Sequence, residues 1–286
     1  MYVVARMYRL QCRDFHSINQ SIKLATMTDR KTAVVTGSTS GIGLGIATRF
    51  AQDGLNIVLS GIEDDQQIEP LRARLEKDHG VSVKYVRCDL SSAAGARDLI
   101  QAAQASFGCV HVLVNNAGIQ HVAPVDEFPD EKWEAVMALN LSAAFYTCKA
   151  VLPMMKQQGW GRVINIASAH ALVASPLKSA YVAAKHGLLG FTKTLALEVA
   201  EQGITVNAIC PGYVWTPLVE KQIPETAAAR GLTPEQVIND VILSAHPNKA
   251  FVTIDQVASV AQFLSSSGAD SITGTAVPVD GGWTAR

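Results

Sequence analysis

Tyr181 and Lys185 stand four residues apart in the segment 179–186. On a helix this spacing places the phenol and the ammonium side by side on one face. A phenol titrates near pH ~10, and a neighbouring cation favours its ionised form and moves its pKa toward neutrality. Such a tyrosine can exchange a proton with a substrate hydroxyl or carbonyl. The pair also arises by chance in ordinary helices, so a reaction requires a cofactor and a substrate site beside it.

A glycine-rich segment is the second chemical signal. Residues 31–36 have the pattern of a buried strand, and Gly37, Gly41 and Gly43 follow in the spacing Gly-x-x-x-Gly-x-Gly. Apolar residues at helical spacing come next, and strand, glycine turn and helix together favour a dinucleotide site. The three glycines would permit a tight turn and a close approach of the backbone, while the helix N-terminus would attract a pyrophosphate. Glycine turns open many helices, so the motif alone also fits a structural role.

Residues 110–118 form a second apolar run, which ends in the turn Asn115-Asn116-Ala117-Gly118. Ligands of open α/β sheets bind outside the carboxyl ends of the strands, so this turn is expected to face the same crevice. An ordinary strand-end turn with satisfied asparagines is the alternative interpretation.

The elements that must position these residues follow a regular alternation. It predicts an α/β fold, a single Rossmann-type doubly wound parallel sheet flanked by helices. Predicted strands lie at residues 33–36, 56–60, 81–87, 110–115, 161–167, 204–210 and 276–279. Four prolines interrupt the rhythm between about residues 216 and 253, which we interpret as a small helical substrate lid, a long surface excursion being the alternative.

Two parts of the chain are expected: an N-terminal extension, residues 1–30, and a dinucleotide-binding catalytic domain, residues 31–286. The extension is mildly basic and poor in acidic residues, which is compatible with a transit peptide. It lacks a secretory apolar core, and Met27 is placed like a natural start. We favour a disordered tail that results from an upstream start codon.

Composition restricts the classes of function. The chain has 286 residues, of which 48% are hydrophobic, and a net charge of −1, so nucleic-acid binding has little support. Its five cysteines show no metal-type pairing, which suits reduced thiols in a cytoplasmic protein. No apolar run approaches the ~18 residues of a membrane span, and no metal site is expected.

Taken in order, the motifs resemble those of the short-chain dehydrogenase/reductase family over roughly residues 30 to 286. The matching positions are Thr36-Gly37-x-x-x-Gly41-x-Gly43, Asn115-Asn116-Ala117-Gly118, Asn140, Ser168, Tyr181-x-x-x-Lys185 and Pro211-Gly212. The resemblance implies an oxidoreductase in which the cofactor carries the hydride and the protein supplies geometry and proton transfer.

Roles for single residues also come from the resemblance. Tyr181 would be the catalytic acid/base, and Lys185 would lower its pKa and bind the nicotinamide ribose. Ser168 would hydrogen-bond the reacting oxygen, and Asn140 would anchor a water that links Lys185 to solvent. The implied cofactor-binding residues are Gly37, Thr39, Ser40, Gly41, Ile42, Gly43, Asp89, Leu90, Asn116, Ala117, Gly118, Tyr181, Lys185, Pro211, Gly212, Val214 and Thr216.

The choice of cofactor depends on which charges surround the second predicted strand. A 2′-phosphate requires a cation, but no basic residue follows this strand before Arg72, and the glycine turn has none. NAD is therefore favoured over NADP. The usual acidic residue at the strand end is also missing, because Ser60 or Gly61 holds that place and Glu63 lies slightly too far along the chain.

An unusual set of polar residues accompanies the catalytic ones: Gln120, His170, Lys178 and Gln222. Converging donors predict a small anionic substrate, because a buried carboxylate is costly unless it is paired. This set resembles that of bacterial D-3-hydroxybutyrate dehydrogenases, and the resemblance implies that these four side chains bind the substrate carboxylate. Ser168 and Tyr181 would contact the reacting group. Tyr213, where several relatives have tryptophan, and Trp283 would form an aromatic wall.

Alternatives remain at this stage. The substrate of such an oxidoreductase could instead be a neutral alcohol, a sugar or a 3-oxoacyl thioester, and a non-enzymatic dinucleotide sensor is a reading from another class. Lys178 could be an exposed loop lysine and His170 a structural histidine. Family analogy implies a homotetramer formed through long helices, and residues 181–199 could provide such a face.

Overall fold

The computed structural model describes residues 30–285, without the side chains of residues 218, 221, 222, 225, 226, 229 and 230. The predicted extension, residues 1–30, thus lies outside the described residues except for Arg30. The side chain of Gln222 lies outside them as well. From Thr32 onward the chain forms one compact unit.

Within residues 30–285, seven parallel strands confirm the predicted sheet. They are β1 Thr32–Val35, β2 Asn56–Gly61, β3 Val83–Arg87, β4 Val112–Asn115, β5 Gly161–Ile166, β6 Ile204–Pro211 and β7 Ala276–Val279. The strand order is β3-β2-β1-β4-β5-β6-β7, so the direction of winding reverses between β1 and β4. This reversal opens a crevice at the carboxyl ends of β1 and β4. The third and fourth strands begin two residues later than predicted, because Val81 and Val110 are buried but precede the paired residues.

Helices cover both faces of the sheet, which explains why its central strands are apolar throughout. They are α1 Gly41–Gln52, α2 Asp65–His79, α3 Ala93–Phe107, α4 Asp130–Met137, α5 Ala143–Gln158, α6 Ser179–Val199, α7 Pro217–Arg230 and α8 Ile254–Ser265. One hydrophobic cluster includes Phe50 of α1 and Leu264 of α8. The cluster on the opposite face includes Leu99 of α3 and Met155 of α5.

The region predicted as a lid is helical. Thr216 caps α7 by accepting a hydrogen bond from the backbone nitrogen of Val219 at 3.4 Å, and Pro217 takes the first helical position, where its missing N–H costs nothing. Gly231 caps the C-terminus of the helix in the left-handed conformation, with a φ of +64°. Further short helical turns occupy residues 234–245. The local signals of Thr, Pro and Gly thus explain the ends of α7.

The continuous helical stretch Asp130–Gln158 is long and apolar enough to cross a membrane by length and composition alone. Within the fold, however, α5 places Val151 and Met155 in the core between α3 and the sheet. Packing inside the domain therefore accounts for part of the apolar composition, since 39% of the apolar window is buried.

Candidate active site

The turn after β1 is shaped by its glycines. Gly37 and Gly41 have φ values of +59° and +56°, which residues with a side chain rarely adopt. A Cβ on Gly43 would lie 2.3 Å from the carbonyl oxygen of Gly37, so α1 packs closely against the turn only with glycine there. Around Gly41 the nearest atom to an added Cβ is 3.9 Å away, on Thr216. The turn thus leaves an open cradle at the N-terminus of α1, which fits a pyrophosphate group.

The turn after β4 is bonded directly to the glycine turn. The side-chain amide of Asn116 donates to the carbonyl oxygens of Thr36 and Gly37, both at 2.9 Å. The hydroxyl of Thr36 accepts from the backbone nitrogens of Asn116 at 2.8 Å and Ala117 at 3.0 Å. Asn115 instead faces the core, where it bonds Asn165 at 2.9 Å. Asn116 therefore shapes the crevice, whereas Asn115 is a satisfied asparagine at a strand end, as in the alternative interpretation of this turn.

A cavity of about 580 Å³ opens at the carboxyl ends of the strands. It brings together nearly all the residues that the sequence predicted for the cofactor and the substrate. They are Gly37, Thr39, Ser40, Gly41, Ile42, Asp89, Leu90, Asn116, Ala117, Gly118, Gln120, Asn140, Ser168, His170, Lys178, Tyr181, Lys185, Pro211, Gly212, Tyr213, Val214, Thr216 and Trp283. Gly43 does not line the cavity, because its place is in the contact between α1 and the turn.

Glu63 reaches the cavity although it lies beyond the end of β2. Its carboxylate accepts hydrogen bonds from the Thr39 hydroxyl at 2.8 Å and from the backbone nitrogen of Ile62 at 3.0 Å. The chain folds back over Gly61, where a Cβ would lie 2.2 Å from Glu63 Oε2. A carboxylate is therefore present beside the glycine turn. There it could accept a hydrogen bond from a ribose hydroxyl, and it would repel a 2′-phosphate. The sequence interpretation had left this residue aside.

Tyr181 and Lys185 project from the first turns of α6 into the cavity. The Lys185 ammonium lies 5.5 Å from the centre of the Tyr181 ring and donates to the carbonyl oxygen of Ile166 at 2.8 Å. Burial raises the pKa of Tyr181, and a hydrogen bond with Ser168 opposes this rise. Burial lowers the pKa of Lys185 to about 8. Burial is the largest influence on the pKa of both groups. The opposing effect of the Lys185 charge on the Tyr181 pKa stays a prediction.

Asn140 sits in a π-helical turn, Ala138–Ser142, between α4 and α5. Its amide nitrogen donates to the carbonyl oxygens of Ile119 at 2.8 Å and Val136 at 3.0 Å. Its amide oxygen is buried and has no hydrogen-bond partner among the described residues. A second cavity of about 10 Å³, bordered by Asn140 and Lys185, is at the lower limit for one water. These facts fit the water predicted between them, which stays a prediction.

Lys178 lies at the other side of the cavity, directly before α6. Its ammonium donates to the hydroxyl of Tyr213 at 3.1 Å and lies 5.1 Å from the centre of that ring. Trp283 stacks on Tyr213, with ring centres 5.6 Å apart and planes 7° apart. Tyr213 and Trp283 of one chain thus form an aromatic wall, and Lys178 is hydrogen-bonded to it.

His170 is buried beside both catalytic and aromatic groups. Its ring centre lies 5.9 Å from that of Tyr181 and 5.0 Å from that of Trp283. Nε2 is 2.9 Å from the hydroxyl of Ser175. Burial lowers the pKa of His170 to about 4, and the charge of Lys178 adds to this effect. The histidine is therefore neutral near pH 7 and contributes hydrogen bonding without charge.

Gln120 is exposed at the rim of the cavity. Several lining residues were not foreseen, among them the apolar Ile119, Leu139 and Val219. Single apolar residues carry no pattern in a sequence that distinguishes a cavity wall from the core. In the described residues no group of three His, Cys, Asp or Glu side chains could hold a metal ion.

Comparison with known proteins shows which proteins this chain resembles. Residues 31–227 match the family model described as short chain dehydrogenase. The chain is 54% identical over 256 residues, 90% of its length and 99% of the relative, to a D-beta-hydroxybutyrate dehydrogenase of Rhizobium meliloti. It is 50% identical over 260 residues, 91% of its length and all of the relative, to a protein of the same name from Cupriavidus necator.

A solved structure resembles the whole domain. It is that of an actinorhodin polyketide ketoreductase variant with NADPH, which superposes with a TM-score of 0.85 at 35% sequence identity. The alignment covers 91% of this chain and 99% of that one. The likeness therefore extends to the glycine turn, the crevice and the helices that surround it.

Proposed function

The chain belongs to the short-chain dehydrogenase family, and from this premise we propose that it oxidises D-3-hydroxybutyrate to acetoacetate, reversibly, with NAD as hydride acceptor. The two relatives that share half of its residues carry the corresponding name. The observation that carries the proposal is the Lys178 ammonium, which lines the same cavity as Tyr181. A cation at this place gives a carboxylate a partner within reach of the reacting centre.

Bound in the cavity, NAD supplies the carbon that accepts the hydride, and the protein supplies orientation and proton transfer. The glycine turn and the N-terminus of α1 would hold its pyrophosphate. Glu63 and Thr39 would bind the adenosine ribose, and Lys185 would bind the ribose of the nicotinamide. The remaining lining residues that the sequence assigns to the cofactor are Asp89, Leu90, Pro211, Gly212, Val214 and Thr216.

Tyr181 accepts the hydroxyl proton of the substrate during oxidation and returns it during reduction. Ser168 lines the cavity beside Tyr181, and both hydroxyls would hydrogen-bond the reacting oxygen of the substrate. Because burial disfavours the phenolate, the positive charge of Lys185, 5.5 Å from the ring centre, stabilises the ionised form in the reaction. The buried amide oxygen of Asn140, which has no partner among the described residues, would anchor the water that links Lys185 to solvent.

The substrate carboxylate binds to Lys178. An ammonium has three donors, and the hydroxyl of Tyr213 takes one, which leaves two for the carboxylate. Neutral His170 and Gln120 line the same cavity. Gln222, whose side chain lies outside the described residues, is the fourth residue that the sequence assigns to the carboxylate. Tyr213 and Trp283 limit the space beside the substrate methyl group.

The test compares wild type with Lys178→Met, which keeps the length of the side chain and removes its charge. We expect kcat/KM for D-3-hydroxybutyrate to fall about thirty- to 150-fold, since a charge-assisted hydrogen bond contributes about 2–3 kcal/mol. Activity on a neutral secondary alcohol should change by less than about threefold. Equal losses on both substrates would remove Lys178 from carboxylate binding and favour a neutral substrate.

We also propose a cytoplasmic homotetramer. Phe145 of α5 is 45% exposed and Leu197 of α6 is 83% exposed, and Phe145 contacts Phe191 with ring centres 6.1 Å apart. Large exposed apolar side chains on adjacent helices favour association with a second copy. Light scattering of the purified protein should give about four times the chain mass. A monomer at micromolar concentration would contradict the proposal.

A further inference from the structure

His246 is a fully buried histidine in the turn that leads toward α8. The backbone nitrogen of Tyr213 donates to its Nε2 at 3.0 Å, and its Nδ1 lies 2.8 Å from the carbonyl oxygen of Ala250. A carbonyl oxygen can only accept, so Nδ1 carries the proton, and Nε2 must be the unprotonated acceptor. The two contacts therefore require a neutral imidazole in a single tautomer.

The imidazole also supports the segment that follows β6. A Cβ on Gly212 would lie 2.5 Å from His246 Nε2, so the ring is in close contact with the backbone there. Its ring centre lies 5.8 Å from those of both Tyr213 and Trp283. Both aromatic residues of the substrate wall thus rest against one buried side chain.

Asp280, which directly follows β7, is the hydrogen-bond acceptor of the turn that leads to Trp283. Its carboxylate accepts from the backbone nitrogens of Gly282 at 3.0 Å and Thr284 at 2.9 Å, and from the Thr284 hydroxyl at 2.6 Å. These bonds shape the turn that carries Trp283. The backbone nitrogen of Asn248 donates to the carbonyl oxygen of Gly281 at 3.2 Å, which joins this turn to the one that holds His246.

We propose that His246 is a positioning residue for the substrate site. It holds the Gly212–Tyr213 backbone and the face of the aromatic wall, and through the Tyr213 hydroxyl it sets the place of the Lys178 ammonium. The inference rests on the proposed function, in that the group so positioned binds the substrate carboxylate. His246 itself lies behind the wall and does not line the cavity.

The experiment uses two variants of the full chain, His246→Leu and His246→Gln. Leucine removes both hydrogen bonds, whereas glutamine can place its amide oxygen where Nε2 accepts from Tyr213. We expect His246→Leu to raise KM for D-3-hydroxybutyrate about tenfold or more, with kcat and KM for NAD changed less than about threefold. His246→Gln should restore KM to within about threefold of wild type. His79→Leu, at the end of α2, is the matched control and should leave KM unchanged.

Hydrogen exchange of the Tyr213 amide gives a second readout that needs no substrate. We expect exchange to be at least about tenfold faster in His246→Leu and close to wild type in His246→Gln. Equal KM values in wild type and His246→Leu, or unchanged amide protection, would overturn the inference. If wild type does not oxidise D-3-hydroxybutyrate, the proposed function fails alone, and the exchange rates still decide whether His246 holds this segment.

Discussion

The hydroxyl of Tyr213 accepts a hydrogen bond from the Lys178 ammonium at 3.1 Å, and this bond joins the aromatic wall of the cavity to its cation. An ammonium on four methylene groups has many rotamers, so a fixed partner reduces the entropy that is lost when a carboxylate binds. The Tyr213 phenol thus positions the Lys178 ammonium and also forms part of the aromatic wall.

Replacing Tyr213 by phenylalanine tests this relationship. The ring and its stacking on Trp283 remain, but Lys178 loses its partner. We expect KM for D-3-hydroxybutyrate to rise about three- to tenfold, as for the loss of one hydrogen bond of about 1 kcal/mol, with kcat nearly unchanged. Initial-rate kinetics measure both values, with Tyr146→Phe on α5 as the control. A KM equal to that of wild type would show that the bond does not position the lysine.

Glu63 is expected to set the preference for NAD. Its carboxylate beside Thr39 would repel a 2′-phosphate and would accept a hydrogen bond from a ribose hydroxyl. In Glu63→Gln we expect the ratio of kcat/KM for NAD to that for NADP to fall by about tenfold or more. The neighbouring Asp64 pairs with Arg87, so Asp64→Asn removes a charge of the same sign as a control and should change the ratio little. Similar ratios in wild type and Glu63→Gln would exclude Glu63 from cofactor choice.

His170 is expected to make the protein sensitive to acid. Its pKa is about 4 in the folded chain and about 6.5 when unfolded. Below pH 6.5 the unfolded state therefore binds more protons, and stability falls as the pH decreases toward 4. At pH 4.5 the loss from this group is about 2 kcal/mol, and above pH 7 it is absent.

Urea unfolding at pH 7 and pH 4.5 measures this contribution. His170→Gln should lose less stability between the two pH values than wild type, by about 2 kcal/mol. His121→Gln, on the loop after β4, is the control and should lose as much stability between the two pH values as wild type. If His170→Gln and wild type lost equal stability on acidification, His170 would not be the neutral buried group that the structure shows.

Much of this arrangement follows from the sequence because it depends on local patterns. The apolar runs of the seven strands and the glycines of the first turn specify which segments become strands and where their ends meet. Tyr181 and Lys185 share a helix, and Ser168 follows a strand end, so their proximity results from elements with clear signals.

Other features depend on packing that no local pattern records. Glu63 enters the cavity only because the chain folds back over Gly61 and Thr39 supplies a hydrogen bond. His246 meets Tyr213 across 33 positions of the sequence, through a turn whose path is set by its own backbone bonds. The pKa of Tyr181 depends on burial, and burial is a property of the assembled fold.

The most direct test of the central claim is NAD reduction by the wild-type protein with D-3-hydroxybutyrate, its L enantiomer and a neutral secondary alcohol, with NADP in parallel. The arrangement of Lys178, Tyr181 and Glu63 predicts robust turnover with the D acid and NAD, and rates at least about a hundredfold lower for the other combinations. Equal or faster turnover of the neutral alcohol would contradict the carboxylate site. No turnover with any of the three would contradict the proposed reaction itself.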